Sequence, residues 1–226
     1  MAFTDASSNM EEHNLKVFVV LTHSIAGGLP LGIIITSDET TPTLTKAFNK
    51  YRDILPDSAF FGKGKEGPAI FMTDNCVELR DALHSTWPNC ILLLCLFHMM
   101  QQVWKWLMDQ KNAVPKEDRQ KLMTFFKSLG YENDIFSFQR LYPGFDNDTD
   151  LEENDFITSF PAFVTYLESQ YSIRKSWALC YRSALLTRGQ NTNNLAEAQF
   201  RVIKDKLLQR IKELRRCLSV ENIFRK

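Results

Sequence analysis

The sequence predicts an α/β fold: a mixed sheet built in the order β-β-β-α-β-α-β, with an all-helical insertion before the last, acid-bearing helix. Two observations carry this. From Ala2 to Phe97, short β-rich apolar runs alternate with turn residues, and helical spacing enters only between the later runs. From His98 to about Leu186 the pattern turns helical throughout. With 226 residues, 44% of them hydrophobic and 17 of them Phe, the chain can bury a sizeable core.

In order, Ala2 to Thr4 read as the stub of a first strand. Only four residues precede Asp5, whereas strands usually run about five or six, so this strand is expected to be truncated. Lys16 to Thr22 is a second strand, Gly27-Gly28 a turn, and Leu29 to Thr36 a third strand. Pro42 opens a helix through Leu55, with Leu44, Ala47, Phe48, Tyr51, Ile54 and Leu55 at helical spacing. Phe61 to Pro68 is a Gly/Lys loop, Ala69 to Thr73 a short strand, Val77 to Ser85 a helix and Cys90 to Phe97 a strand. Three leading strands joined by short turns make an antiparallel meander, and strands joined through helices lie parallel. This is the order of the ribonuclease H-like fold, in which the strand ending at Asp74 lies beside the strand carrying Asp5.

The helical insertion is predicted as Met99–Lys111, Lys116–Leu129, Asp134–Leu141, Phe160–Tyr171 and Ser176–Leu186, punctuated by Pro115, Pro143-Gly144 and Pro161. A final helix runs from about Thr192 to Cys217, with Thr192 or Asn193 as its N-cap. The domains expected are a core over residues 1–98, an insertion over 99–187 and a C-terminal helical segment over 188–226 that completes the core.

No apolar run reaches the roughly 18 residues needed to span a bilayer, so no membrane partner is expected. The start of the chain lacks a basic segment and a long apolar stretch, so it does not read as a signal peptide. Five Cys at scattered spacings favour thiols in an intracellular protein over a disulfide framework. Charge is uneven: residues 174–226 hold 13 Lys+Arg against 4 Asp+Glu, a net +9, and residues 1–173 hold 14 against 23, a net −9. A basic end suits phosphates, and it equally suits a solvated helix surface.

Asp5 and Asp74 each follow a short apolar run and precede polar residues, so both read as carboxylates at strand ends. Glu197 sits in the first turn of the last helix. Carboxylates on separate elements can converge on Mg²⁺ or Mn²⁺, and two such ions roughly 3.5–4 Å apart can serve an in-line displacement at phosphorus. Asp5 would bridge both ions, Asp74 would bind one and Glu197 the other. Asp74 could instead cap the helix that follows it.

The sequence also resembles a known family. Thr4-Asp5-Ala6-Ser7-Ser8, Gly27-Gly28-Leu29-Pro30-Leu31-Gly32, Phe71-Met72-Thr73-Asp74, Trp87-Pro88, Leu94-Cys95-Leu96-Phe97-His98, and Thr192-Asn193-Asn194 with Glu197 are similar to the catalytic domain of Mutator-like (MULE) transposases. The match extends from Asp5 to about Arg210. It implies a DDE triad of Asp5, Asp74 and Glu197, two Mg²⁺ or Mn²⁺ ions, DNA as partner at transposon ends or target, a nuclear location and a possible homo-oligomer. It equally admits a host protein derived from such a transposase, catalytically silent and binding DNA or chromatin. The zinc modules that flank this domain in the family have no counterpart in the sequence, so the chain alone is expected to bind DNA weakly and with little sequence choice.

Cys95 and His98 match the family's Cys-x-x-His motif and could form half of a Zn²⁺ site, although a closed zinc site wants four ligands. The alternative is a buried Cys beside an ordering His. On the last helix, at about 100° per residue, Asn193, Asn194, Glu197, Arg201, Lys204, Lys212 and Arg215 fall on one side. The cations could grip DNA phosphates and Asn194 could support Glu197, with Leu195, Ala198, Val202, Leu207 and Leu214 buried opposite.

Overall fold

The computed structural model describes residues 1–7, 15–25, 27–142 and 151–202, the side chains of 151–154 excepted. The chain divides into two compact units, residues 1–92 with 193–226, and residues 93–192.

The first unit holds the sheet. Its strands are β1 (Ala2–Ser7), β2 (Lys16–Ser24), β3 (Gly27–Thr36), β4 (Ile70–Thr73) and the first half of β5 (Ile91–Leu94), whose last two residues belong to the second unit, in the spatial order β3-β2-β1-β4-β5. β1–β2 and β2–β3 are antiparallel, with a bulge at Val20/Leu21, and β1–β4 is parallel. The fold is therefore α/β with a five-stranded mixed sheet. β1 was expected to stop at Thr4. It runs six residues, to Ser7, because Ala6 and Ser7 pair with Phe18 and Val17 of β2.

The helices of this unit are α1 (Thr41–Asp53), the short turn α2 (Ala59–Gly62), α3 (Val77–Thr86) and α10 (Asn194–Val202). Alternation along the strands sends Ala2, Phe18, Val20, Ile34 and Phe71 to one face of the sheet. There they meet Leu44, Phe48 and Tyr51 of α1 and Leu79, Ala82 and Leu83 of α3. Trp87 sits among them with its ring 5.3 Å from Phe71, 6.1 Å from Phe48 and 6.4 Å from Tyr51. Phe3, Val19, Leu21 and Met72 point to the other face and are fully buried as well. α10 lies against β1, β2 and β3.

The second unit is helical: α4 (Leu96–Met108), α5 (Lys116–Tyr131), α6 (Ile135–Leu141), α7 (Leu151–Thr158), α8 (Pro161–Ser172) and α9 (Arg174–Trp177). Its core is aromatic. Trp177 stacks on Phe126 at 5.1 Å, meets Phe138 edge-on at 6.0 Å and donates its indole N–H to Gln170 O at 2.8 Å. α4 and α5 cross closely at Gly130, where an added Cβ would lie 2.5 Å from Met100 Cε. The helix expected over Ser176–Leu186 is absent. α9 ends at Trp177, Ala178 turns extended (ψ 136°), and only a 3₁₀ turn (Leu179–Tyr181) follows. The side chains of Trp177, Cys180 and Arg182 are all drawn inward, a spacing no single straight helix face satisfies.

Candidate active site

Strand β1 positions Asp5. Ala2 belongs to the core under α1 and α3, and Ala6 packs against it. Residues of alternate parity point the other way, so Asp5 shares a face with Phe3, on the side that α10 covers. Ala2 pairs with Phe71 and Phe3 with Met72 in parallel register. The paired residues end there: Asp5 lies two residues further along β1, and Asp74 lies two residues beyond Met72, past the end of β4. Asp5 thus lies inside β1 rather than at its end, whereas Asp74 is the residue just after β4.

Both carboxylates also hold local backbone. Ala6 N donates to Asp5 Oδ1 at 2.8 Å, and Asp5 is buried. Asp74 is half-buried, and its Oδ1 accepts from Cys76 N and Thr73 Oγ1, each at 3.3 Å. That contact is a turn two residues long ahead of α3. The N-cap residue of α3 is Cys76, which makes no side-chain cap. Burial, with smaller effects from Glu78 and Asp74, pushes the Cys76 thiol up to about 11, so it stays protonated and donates to Glu78 Oε2 at 3.2 Å.

Asn193 brings the third carboxylate into this neighbourhood. It is fully buried, and its Nδ2 donates to Thr4 O at 3.1 Å across 189 positions of sequence. Its own carbonyl accepts from Ala196 N at 3.0 Å and Glu197 N at 3.3 Å, which starts α10. One residue therefore fixes the helix start to the peptide preceding Asp5. Glu197 lies one turn on, on Asn193's side of the helix, and is exposed. Arg201, one turn further, is exposed too, as is Asn194. The anchor is thus Asn193, not Asn194.

The buried stripe of α10 differs from expectation. Ala196 and Phe200 are buried, Leu195 is half-buried with its Cβ 3.6 Å from where a Cβ on Gly28 would lie, and Ala198 and Val202 are exposed. The reason is Asn193: turning it to the sheet turns the residues three and seven places later with it. Lys204, Lys212 and Arg215, with Leu207 and Leu214, lie outside the described residues. Among the described residues no three His, Cys, Asp or Glu side chains cluster as a metal site. The acids stand on neighbouring elements, without converging on one point.

Cys95 and His98 belong to the helical unit. The strand expected to run to Phe97 ends at Leu94, and Cys95 is the N-cap residue of α4. His98 therefore follows it within the first helical turn, its ring 5.8 Å from that of Phe97. Arg182, which the sequence reading passed over, is the neighbour that matters. It is buried, and burial lowers it to about 10 against an opposing pull from Cys95. A guanidinium beside the thiol is a positive charge that a zinc ion would have to overcome. The sequence signal was there: a lone Arg in the run Leu179-Cys180-Tyr181-Arg182-Ser183-Ala184-Leu185-Leu186. The described residues form no disulfide, and their cysteines carry thiols. Among them no helix is long and apolar enough to cross a membrane.

No family model matches the chain. A stretch is similar to the PKS-NRPS hybrid synthetase cheA of Chaetomium globosum, 31% identical over 96 residues. That similarity covers 38% of this chain, and the chain spans 2% of the synthetase's length.

Proposed function

We propose that this chain is a ribonuclease H-like, DDE-type catalytic domain of the Mutator-like transposase kind, acting on DNA phosphodiesters. One observation carries the reading. β1, which holds Asp5, pairs in parallel with β4, which Asp74 directly follows, and Asn193 ties the start of α10 to the residue before Asp5. The strand order, with three antiparallel strands and β4 added beside β1, supports the same fold.

The donor set fits a hard divalent cation, because it offers carboxylate oxygens from β1, β4 and α10 and no sulfur or imidazole. Mg²⁺ or Mn²⁺, when bound, supplies charge neutralisation at the phosphoryl oxygens and acidifies the attacking water or hydroxyl. Asp5, Asp74 and Glu197 would hold it, and Asn193 positions the helix that presents Glu197. Arg201 offers an exposed cation to the DNA backbone, with Lys204, Lys212 and Arg215 further along the same sequence. The chemistry is hydrolysis of one strand, followed by attack of the freed 3′-hydroxyl on a target phosphodiester.

The test is nicking of supercoiled plasmid in Mn²⁺ by the wild type and by Asp5→Ala, Asp74→Ala and Glu197→Ala. Each variant should lose on the order of a thousandfold in rate, as removal of any one member of a concerted site does. Full activity in all three removes the assignment. A wild type that retains DNA in a gel shift yet never nicks it is the catalytically silent, DNA-binding descendant.

A further inference from the structure

At the opposite end of β4 from Asp74, about 17 Å back along the strand, lies a cavity of about 230 Å³ that the carboxylate chemistry does not use. Lys63, Lys65, Gly67, Trp87 and Asn89 line it, with Glu66 the one carboxylate among its lining residues. We infer that this pocket binds a phosphate group.

The loop that forms its wall is held in a set shape. Phe60, Phe61, Gly62, Gly64 and Gly67 all take positive φ, curling the chain from α2 towards β4. Gly67 passes so close to Trp87 that an added Cβ would lie 2.4 Å from the indole. The indole N–H donates to Lys65 O at 3.2 Å, which pins the peptide that follows the second lysine to a buried ring. On the far wall, Arg52 Nη1 donates to Thr86 O at 3.0 Å, and Thr86 lines the cavity as well. Two exposed ammonium groups thus stand on one fixed loop, in the part of the chain whose overall balance is acidic.

Size selects the ligand. The cavity is smaller than the roughly 300–1,000 Å³ of pockets that enclose a whole small molecule. It suits a single anionic group, free or projecting from a larger ligand, and lysine binds phosphate as a point charge that tolerates several approaches. The phosphate could be inorganic or the 5′ end of a DNA strand. The inference stands apart from the carboxylate reading, since it needs neither a metal nor a nicking activity.

The reporter is the Trp87 indole N–H in a ¹H–¹⁵N correlation spectrum of the full chain. It is titrated with inorganic phosphate, with a 5′-phosphorylated oligonucleotide and with the same oligonucleotide lacking that phosphate. NaCl at matched ionic strength is the control. Phosphate should move the resonance saturably, and the double variant Lys63→Gln/Lys65→Gln should weaken binding by at least about tenfold. Both lysines are exposed, so the variant keeps the fold, and an unchanged spectrum elsewhere verifies it. A response to the phosphorylated oligonucleotide but not its bare twin assigns the site to strand ends, and a response to inorganic phosphate alone assigns it to the free anion. The inference is overturned if NaCl gives the same shift, if no phosphate source moves the resonance, or if the double variant binds as the wild type does.

Discussion

Each unit is organised around one buried tryptophan, yet the two treat buried polar groups differently. In the helical unit Arg182 is buried, and the hydrogen bonds of its guanidinium go to the protein's own chain. Nη2 donates to Leu94 O at 2.6 Å and Ser176 O at 3.1 Å, and Nη1 reaches Asn191 O and Oδ1 at 3.5 and 3.4 Å. Its role is to satisfy carbonyls where the chain leaves helical geometry after α9. In the sheet unit the buried polar side chains are Thr4, Asp5, Thr36, Thr73, Thr86 and Asn193, with Asp5 the one carboxylate among them. In the helical unit the buried charge is held by carbonyls of other segments, and in the sheet unit the buried carboxylate of Asp5 accepts from the neighbouring amide of Ala6.

The sharpest way to break that contrast is Arg182→Met. Methionine fills much of the same volume but takes the guanidinium donor away from Leu94 O and Ser176 O, while Asn191 O keeps its bond from Leu96 N. The expected loss is about 2–4 kcal/mol, since stranded buried carbonyls cost more than the average hydrogen bond is worth. Urea unfolding followed by tryptophan fluorescence measures it. A loss under about 1 kcal/mol would mean that Arg182 is not structural, and a selective fall in DNA nicking at unchanged stability would place chemistry in the helical unit too.

Asn193→Ala tests the other half at a smaller scale. Loss of the bond to Thr4 O should cost about 1–2 kcal/mol, with the helix start still formed by the backbone carbonyl. Plasmid nicking should fall well beyond what that destabilisation explains, because a helix end released by even about 1 Å misplaces the carboxylate it carries. Gel-shift retention of DNA should be unchanged. Equal proportional losses in stability and nicking would reduce Asn193 to an ordinary packing residue.

Much of this architecture was legible because local pattern fixes local elements. Leu44, Phe48 and Tyr51 at helical spacing behind Pro42 predicted a helix over 42–55, found as Thr41–Asp53. The β-rich run Lys16–Thr22 predicted β2, which runs on to Ser24, where it pairs with Gly27 of β3. What the pattern could not supply is rotation and register. The sequence marked an amphipathic last helix and chose Leu195, Ala198 and Val202 as its buried side. A contact 189 residues away in sequence, Asn193 to Thr4, chose Ala196 and Phe200 instead. Likewise the apolar run Cys90–Phe97 reads as one strand, because nothing local says that Leu96 N will find Asn191 O and begin a helix there. Asp5 and Asp74 stood out as acids after apolar runs, but only the parallel pairing of β1 with β4 shows that their strands are neighbours.

The smallest effect lies on the surface of the sheet unit, where a carboxylate is held by its own turn rather than placed for a ligand. Between β3 and α1, Asp38 Oδ1 accepts from Thr40 Oγ1 at 2.6 Å and Thr40 N at 2.9 Å, and Oδ2 accepts from Ser37 Oγ at 3.0 Å. Led by the Thr40 hydroxyl and then its amide, these bonds lower Asp38 from 3.8 to about 2. A carboxylate whose folded value is depressed adds stability that is complete above its unfolded value and is lost as pH falls through the folded one. Asp38→Asn should therefore melt about one degree below the wild type at pH 6, and the gap should close as pH drops from about 4 to about 2. Comparing the two proteins cancels the other acids held by local hydrogen bonds, Glu78, Asp109 and Asp134, which are lowered in both. A gap that persists unchanged below pH 2 would show that the asparagine disturbs the turn itself. In that case the charge of Asp38 contributes nothing, and the contrast between a locally held acid and the paired acids of β1 and β4 would lose its surface reference.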